Sequence, residues 1–242
     1  MNNANEIDIL ITHLNNINSY PETYKKVLCE IKGVGFFPGG KGLWNSSETS
    51  ISDKSIMILG NDFGGQKEFD SSVKNGHENI NSLTWRNIEA IFTEYGIPRE
   101  KCFLTNVIMG VRVNVSATAK SPALHYPLFL NDCKHFLIKQ IELQKPKLII
   151  VLGLQILTVI SDISDNLSQL KNIKSFKTLD ENKLFAIEDC QINTIENYHT
   201  NIVIITHPTY RHLNIKHRNN NEYTGAEVEK EILKKYLSQI QY

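Results

Sequence analysis

Cysteine is scarce and no charge sign is in excess. The 242 residues include four cysteines, at positions 29, 102, 133 and 190, with no CxxC pair and no zinc-ligand spacing. In a reducing compartment they are expected to be buried thiols. The 26 basic residues are balanced by 26 acidic ones. That balance excludes a uniformly basic nucleic-acid coat but leaves room for a local basic patch. The longest apolar stretch, Leu148 to Ile160, is interrupted by Gly153, Gln155 and Thr158. It falls short of the roughly 20 residues of a spanning helix, so no membrane segment is expected. The first ten residues have no positive n-region and carry Glu6 and Asp8. They do not read as a signal peptide, and a cytoplasmic location is expected. Also missing are a GxGxxG after a strand, a GxSxG elbow and an HExxH pair, and with them the commonest dinucleotide, serine-hydrolase and zinc-protease chemistries.

What is present is an ordinary globular composition, 41% hydrophobic and 21% charged. No repeat or linker divides it, so one domain over 1–242 is expected, with 1–54 as a helical and glycine-rich N-terminal extension. Residues 6–31 read as one or two helices, and Pro21 starts the second. Ser55–Gly60 reads as a buried strand and 64–82 as a polar loop. Thr84 to Tyr95 reads as a helix capped by Ser82 or Thr84. Lys101 to Met109 is a second strand, 110–126 an irregular stretch, and Phe129 to Leu143 an amphipathic helix. Lys147 to Leu152 and Ile202 to Thr206 are further strands, with an outer strand at Leu184 to Ile187. Tyr223 to Ile240 closes the chain as a helix. Strands alternating with helices predict α/β: a single three-layer α/β/α domain around a central, mostly parallel four-stranded sheet.

In such sheets ligands bind outside the carboxyl ends of the strands. Three strand ends carry groups suited to chemistry: Asp62 in Gly60-Asn61-Asp62-Phe63-Gly64-Gly65, Asn106 in Leu104-Thr105-Asn106-Val107, and His207 in Thr206-His207-Pro208. A carboxylate, an amide and an imidazole are thereby expected over one pocket. The bland alternative is that Asp62 and His207 cap nearby loops. A near match to a phosphate-binding loop, Gly35 to Gly42, fails because Gly42 stands where Ser or Thr must hold magnesium. It also precedes the first strong strand. His125, His135 and His199 read as ordinary surface or loop histidines.

These segments resemble the uracil-DNA glycosylase superfamily. Gly60-Asn61-Asp62-Phe63 is similar to its first motif, Gly-Gln-Asp-Pro or Gly-Glu-Ala-Pro. His207-Pro208-Thr209-Tyr210 is similar to its second, His-Pro-Ser-Pro. Thr105-Asn106-Val107 resembles its Thr-Asn-Val strand end, and residues 140–153 resemble the helix–strand block of the iron–sulfur branch. The order and spacing agree over roughly 55–235. Three departures stand out. Only Cys133 falls where the iron–sulfur branch has a cysteine, so neither a cluster nor any other metal or cofactor is expected. The family's motif prolines are Phe63 and Tyr210 here. The stacking phenylalanine has two candidates, Phe63 and Phe69.

The resemblance implies DNA as partner, carrying uracil or another deaminated base, and a monomeric enzyme that hydrolyses the N-glycosidic bond of a flipped-out base. Asp62 would orient water and stabilise the sugar cation, and His207 would donate to uracil O2. Asn106 would read N3–H and O4, with Gly60 and Asn61 beside the base. Tyr210, Arg211, Lys216 and Arg218 would contact DNA, Arg211 as the wedge filling the gap left by the base. Three other readings stay open: a member excising hypoxanthine, xanthine or mismatched thymine; a non-catalytic module binding nucleobase or nucleic acid; and a small-molecule α/β enzyme.

Overall fold

The computed structural model describes residues 6–27, 36, 51–116 and 119–240. Chain order is α1 (Glu6–Asn15), β1 (Tyr24–Lys26), β2 (Ile56–Gly60), α2 (Gln66–Asn75), α3 (Leu83–Tyr95), β3 (Cys102–Asn106) and β4 (Gly110–Arg112). There follow α4 (Pro127–Gln144), β5 (Leu148–Leu152), α5 (Leu157–Ile160), α6 (Phe176–Glu181), β6 (Ala186–Gln191), β7 (His199–Ile205), α7 (Arg211–Asn214) and α8 (Ala226–Ser238). The fold is α/β. A mostly parallel five-stranded sheet has the order β3-β2-β5-β7-β6, and β1 and β4 form a separate pair. Every residue of β2, β3 and β5 is buried; β2 and β5 lie inside the sheet, where continuous apolar strands belong, and β3 forms one edge.

The expected outer strand at 184–187 is present as β6, displaced to Ala186–Gln191, and joins the expected four-stranded sheet as a fifth strand. β6 runs antiparallel to β7, with a register shift between Ile187 and Cys190. Asp189 sits in that shift at φ 50°. A bulged edge strand carrying Glu188 and Asp189 has no clean apolar alternation to read. The expected polar loop at 64–82 contains α2 instead, which buries Phe69 and Ser72 and ends at Gly76 with φ 73°. A ten-residue helix with so narrow an apolar stripe gives little periodicity. The expected helix after Pro21 is replaced at Tyr24–Lys26 by β1, which pairs with β4 antiparallel, Tyr24 opposite Arg112. The phosphate-loop look-alike, apart from Phe36, and Cys29 lie outside the described residues.

Local signals set most helix ends. The Ser82 hydroxyl accepts from the Trp85 amide at 3.4 Å to start α3, and Gly96 ends it at φ 67°. Proline occupies the first turn of α4, and α8 begins with Glu227 and Glu229. Cys102, Cys133 and Cys190 are free and buried. Burial pushes the Cys133 thiol up to about 12. Among the described residues, no helix is long and apolar enough to cross a membrane.

The residues group into two compact units. The first comprises the described parts of Met1–Lys54 with Leu59–Asn79 and Phe103–Lys145. The second comprises Ser55–Ile58, Ile80–Cys102 and Pro146–Tyr242.

Candidate functional site

In the first unit, the end of β2 and the loop after it are laced to the chain leaving β3. The Val107 amide donates to the Gly60 carbonyl at 2.9 Å and the Ile108 amide to the Asn61 carbonyl at 2.8 Å. Gly60 is required by its neighbours. A Cβ there would lie 2.3 Å from Asn106 Oδ1 and 3.0 Å from Phe36 Cε1. Asn106 is 3% exposed, and among the described residues its side-chain amide makes no hydrogen bond. Its neighbour Thr105 is anchored beneath it, donating to Gln140 Oε1 at 2.5 Å. The amide is thus held beside Gly60 with no hydrogen bond to a described residue, which leaves a donor and an acceptor available to a ligand.

Asp62 lies two residues past Gly60. Its Oδ2 accepts from Arg112 Nε at 2.7 Å, from the Tyr24 hydroxyl at 3.1 Å and from Asn61 Nδ2 at 3.2 Å. Its Oδ1 accepts from the Gly64 amide at 3.0 Å. The Asp62 side chain is 5% exposed and that of Arg112 2%. Burial pushes the Asp62 carboxyl above its ordinary range, against the pull of Arg112 and the hydrogen bonds from Arg112, Gly64 and Tyr24. Arg112 is itself fixed, donating through Nη1 to the carbonyls of Ser116 at 2.9 Å and Ala119 at 2.7 Å. The Tyr24 hydroxyl is shared with Ser121 Oγ at 2.9 Å, and burial raises its pKa. The loop is braced on β4: the Phe63 amide donates to the Gly110 carbonyl and the Arg112 amide to the Gly64 carbonyl.

Sequence reasoning missed Arg112 and Tyr24. The available signal was an arginine between Val111 and Val113 in an otherwise apolar run, where a cation demands a buried carboxylate. Phe36, against Gly60, was also missed. Phe63 and Phe69 meet edge to face, with ring centroids 5.8 Å apart. Phe69 is 5% exposed and belongs to the core under this loop.

In the second unit, His207 follows β7 and caps the short turn Pro208–Tyr210. Its Nδ1 accepts from the Thr209 amide at 3.2 Å. With Nδ1 acting as acceptor, a neutral ring carries its proton on Nε2. The turn is tied to α3, Thr209 Oγ1 lying 2.7 Å from Thr84 Oγ1 and the Pro208 carbonyl accepting from Asn87 Nδ2 at 2.6 Å. Gly153, at φ 88°, lets the β5 end approach: a Cβ there would sit 2.9 Å from His207 Cβ. The Tyr210 ring lies 5.7 Å from the His207 ring, tilted by 42°.

Two arginines expected at DNA belong instead to a buried ion network. Arg218 has no exposed side-chain surface. It donates to Asp180 at 2.9 and 3.0 Å, to Glu229 at 3.2 Å and to the Ile204 carbonyl at 3.1 Å. Arg211 bonds Glu229, the Tyr95 hydroxyl and Thr206 Oγ1. Its side chain is 14% exposed. Glu229, fully buried, also accepts from the Thr206 amide at 2.5 Å. The reason for the misreading is that a basic cluster in sequence looks solvated when its acidic partners come from elsewhere. Arg218 is corrected from a phosphate contact to a core residue, and the Arg211 guanidinium is held inward. Lys216 is exposed.

The family model of the uracil DNA glycosylase superfamily matches residues 48–228. The chain belongs to that superfamily. No curated protein matches it. The match includes Gly60–Gly65, Asn106, Arg112, His207 and Arg218. The superfamily domain thus contains both strand-end clusters, one in each compact unit.

Proposed function

We propose that the chain is a DNA glycosylase that hydrolyses the N-glycosidic bond of uracil, or of a related deaminated base, in DNA. The observation that carries this reading is the Asn106 amide, in a residue 3% exposed and with no hydrogen bond to a described residue, beside a glycine that cannot be replaced without striking it. One face of uracil, N3–H beside O4, offers the acceptor and donor partners such an amide lacks. Breaking the bond develops positive charge on the sugar and negative charge on the leaving base. In this reading Asp62 supplies the carboxylate that faces the cation and orients water. His207, its neutral ring protonated on Nε2, donates to the developing charge on uracil O2. The flipped base stacks on an aromatic ring, for which Phe63 and Phe36 are the candidates. Lys216 contacts phosphate.

A second reading has a specific observation behind it. Asp62 is nearly inaccessible and already neutralised by Arg112, which suits a module that binds the base without cleaving the bond.

Single-turnover assays on oligonucleotides carrying U:G, U:A, single-stranded uracil or hypoxanthine separate the two. Abasic product that falls by about two orders of magnitude or more in Asp62→Asn supports the glycosylase. Tight uracil-dependent binding with no product on any substrate supports the binding module.

A further inference from the structure

Among the described residues Asp62 has four hydrogen-bond donors, distributed three to one. Arg112, Tyr24 and Asn61 all converge on Oδ2, whereas among the described residues Oδ1 accepts only from the Gly64 amide. A carboxylate offers about four acceptor positions, two on each oxygen. The second lone pair of Oδ1 is therefore the acceptor site left for a water or a substrate. The orientation of that lone pair is set by whatever holds Oδ2. Among the described residues, the charged and titratable groups facing the carboxylate are Arg112 from β4 and Tyr24 from β1. Arg112 makes the shorter bond and carries the only positive charge of the two. It is itself immobilised by the carbonyls of Ser116 and Ala119.

We propose that Arg112 is a positioning residue for Asp62: it holds the buried carboxylate turned so that, among the described residues, Oδ1 keeps an acceptor position open. Its consequence for turnover rests on the glycosylase reading; its consequence for Asp62 does not.

Asp62 works as an anion, so the active form is lost as pH falls through its pKa. Burial already raises that pKa, and Arg112 opposes the rise. Removing the guanidinium therefore moves the titration further up, by about 1–3 pH units on the scale of an adjacent arginine. A rate limited by ionisation should then recover at alkaline pH, which a packing defect would not.

The test is the titration of the Asp62 carboxyl by NMR in protein labelled with carboxyl-carbon-13 aspartate, with Asp62→Asn identifying the resonance. Wild type, Arg112→Gln and Tyr24→Phe are compared. Tyr24→Phe keeps the ring against Phe129, 5.2 Å between centroids, and removes only one donor. It serves if Arg112→Gln does not fold. The expected result is a midpoint raised by about 1–3 units in Arg112→Gln and by less, in the same direction, in Tyr24→Phe. Excision by Arg112→Gln should fall at neutral pH and recover as pH rises, with KM little changed. An unmoved midpoint in both variants overturns the inference. So does excision lost equally at every pH in a folded Arg112→Gln. A shifted midpoint in a protein that excises nothing sustains the role of Arg112 toward Asp62 and overturns the glycosylase reading alone.

Discussion

Asn106 and Gly60 constrain each other at the residue scale: a Cβ at Gly60 would lie 2.3 Å from Asn106 Oδ1. The strand end that carries Asn106 is readable from sequence, because an apolar run closing on Thr-Asn is a simple pattern. The contact that fixes the amide is not, since it depends on a missing Cβ 46 residues earlier in the chain. Asp62 divides in the same way. Its position after β2 is legible, and its bond to Arg112 is not, because a three-residue strand has no periodicity to announce it. Gly60→Ala places a methyl group 2.3 Å from Asn106 Oδ1. Overpacking of this kind costs about 1–3 kcal/mol, and the side chain that must move is the one proposed to read the base. The expected outcome is at least about a tenfold loss of affinity for uracil-containing oligonucleotide, the equivalent of one hydrogen bond. Equal affinity in the variant, measured by fluorescence anisotropy, removes Asn106 from base recognition.

Elements built from long apolar runs were legible, and elements defined by contacts were not. β5 and β7 pair in parallel from Leu148 opposite Asn201 to Leu152 opposite Ile205, and both announce themselves as apolar runs. β1, β4 and α2 owe their existence to partners. The turn after β7 shows how an element presents chemistry: the His207 ring caps its own turn, and α3 pins the next two residues. Gly153 completes that arrangement from the end of β5. Its φ of 88° lies where other residues are strained, and a side chain there would strike His207. Gly153→Ala should cost about 1–3 kcal/mol in urea denaturation and reduce excision by displacing the imidazole. Unchanged stability together with unchanged excision would mean that this approach has no part in placing His207.

Across the whole chain the charges cancel, yet they are not all at the surface. Arg211, Glu229, Arg218 and Asp180 form a largely buried, formally neutral network within the second unit. Composition counts these groups but does not show where they go, which is why two of them read as DNA contacts. Breaking a buried pair from one side leaves an uncompensated charge, at about 3–5 kcal/mol. Asp180→Ala should therefore lose that much stability, read from the denaturant midpoint. A loss below about 1 kcal/mol, the range of a surface pair, would show that Arg218 finds water instead. The central claim is that this superfamily domain cuts the bond between uracil and its sugar. The most direct measurement is mass-spectrometric detection of free uracil released from a uracil-containing single strand by wild type and by Asp62→Asn under single-turnover conditions. The account predicts stoichiometric release by wild type, slowed by about two orders of magnitude or more in the variant. No release by folded wild type, or equal release by the two proteins, would contradict it.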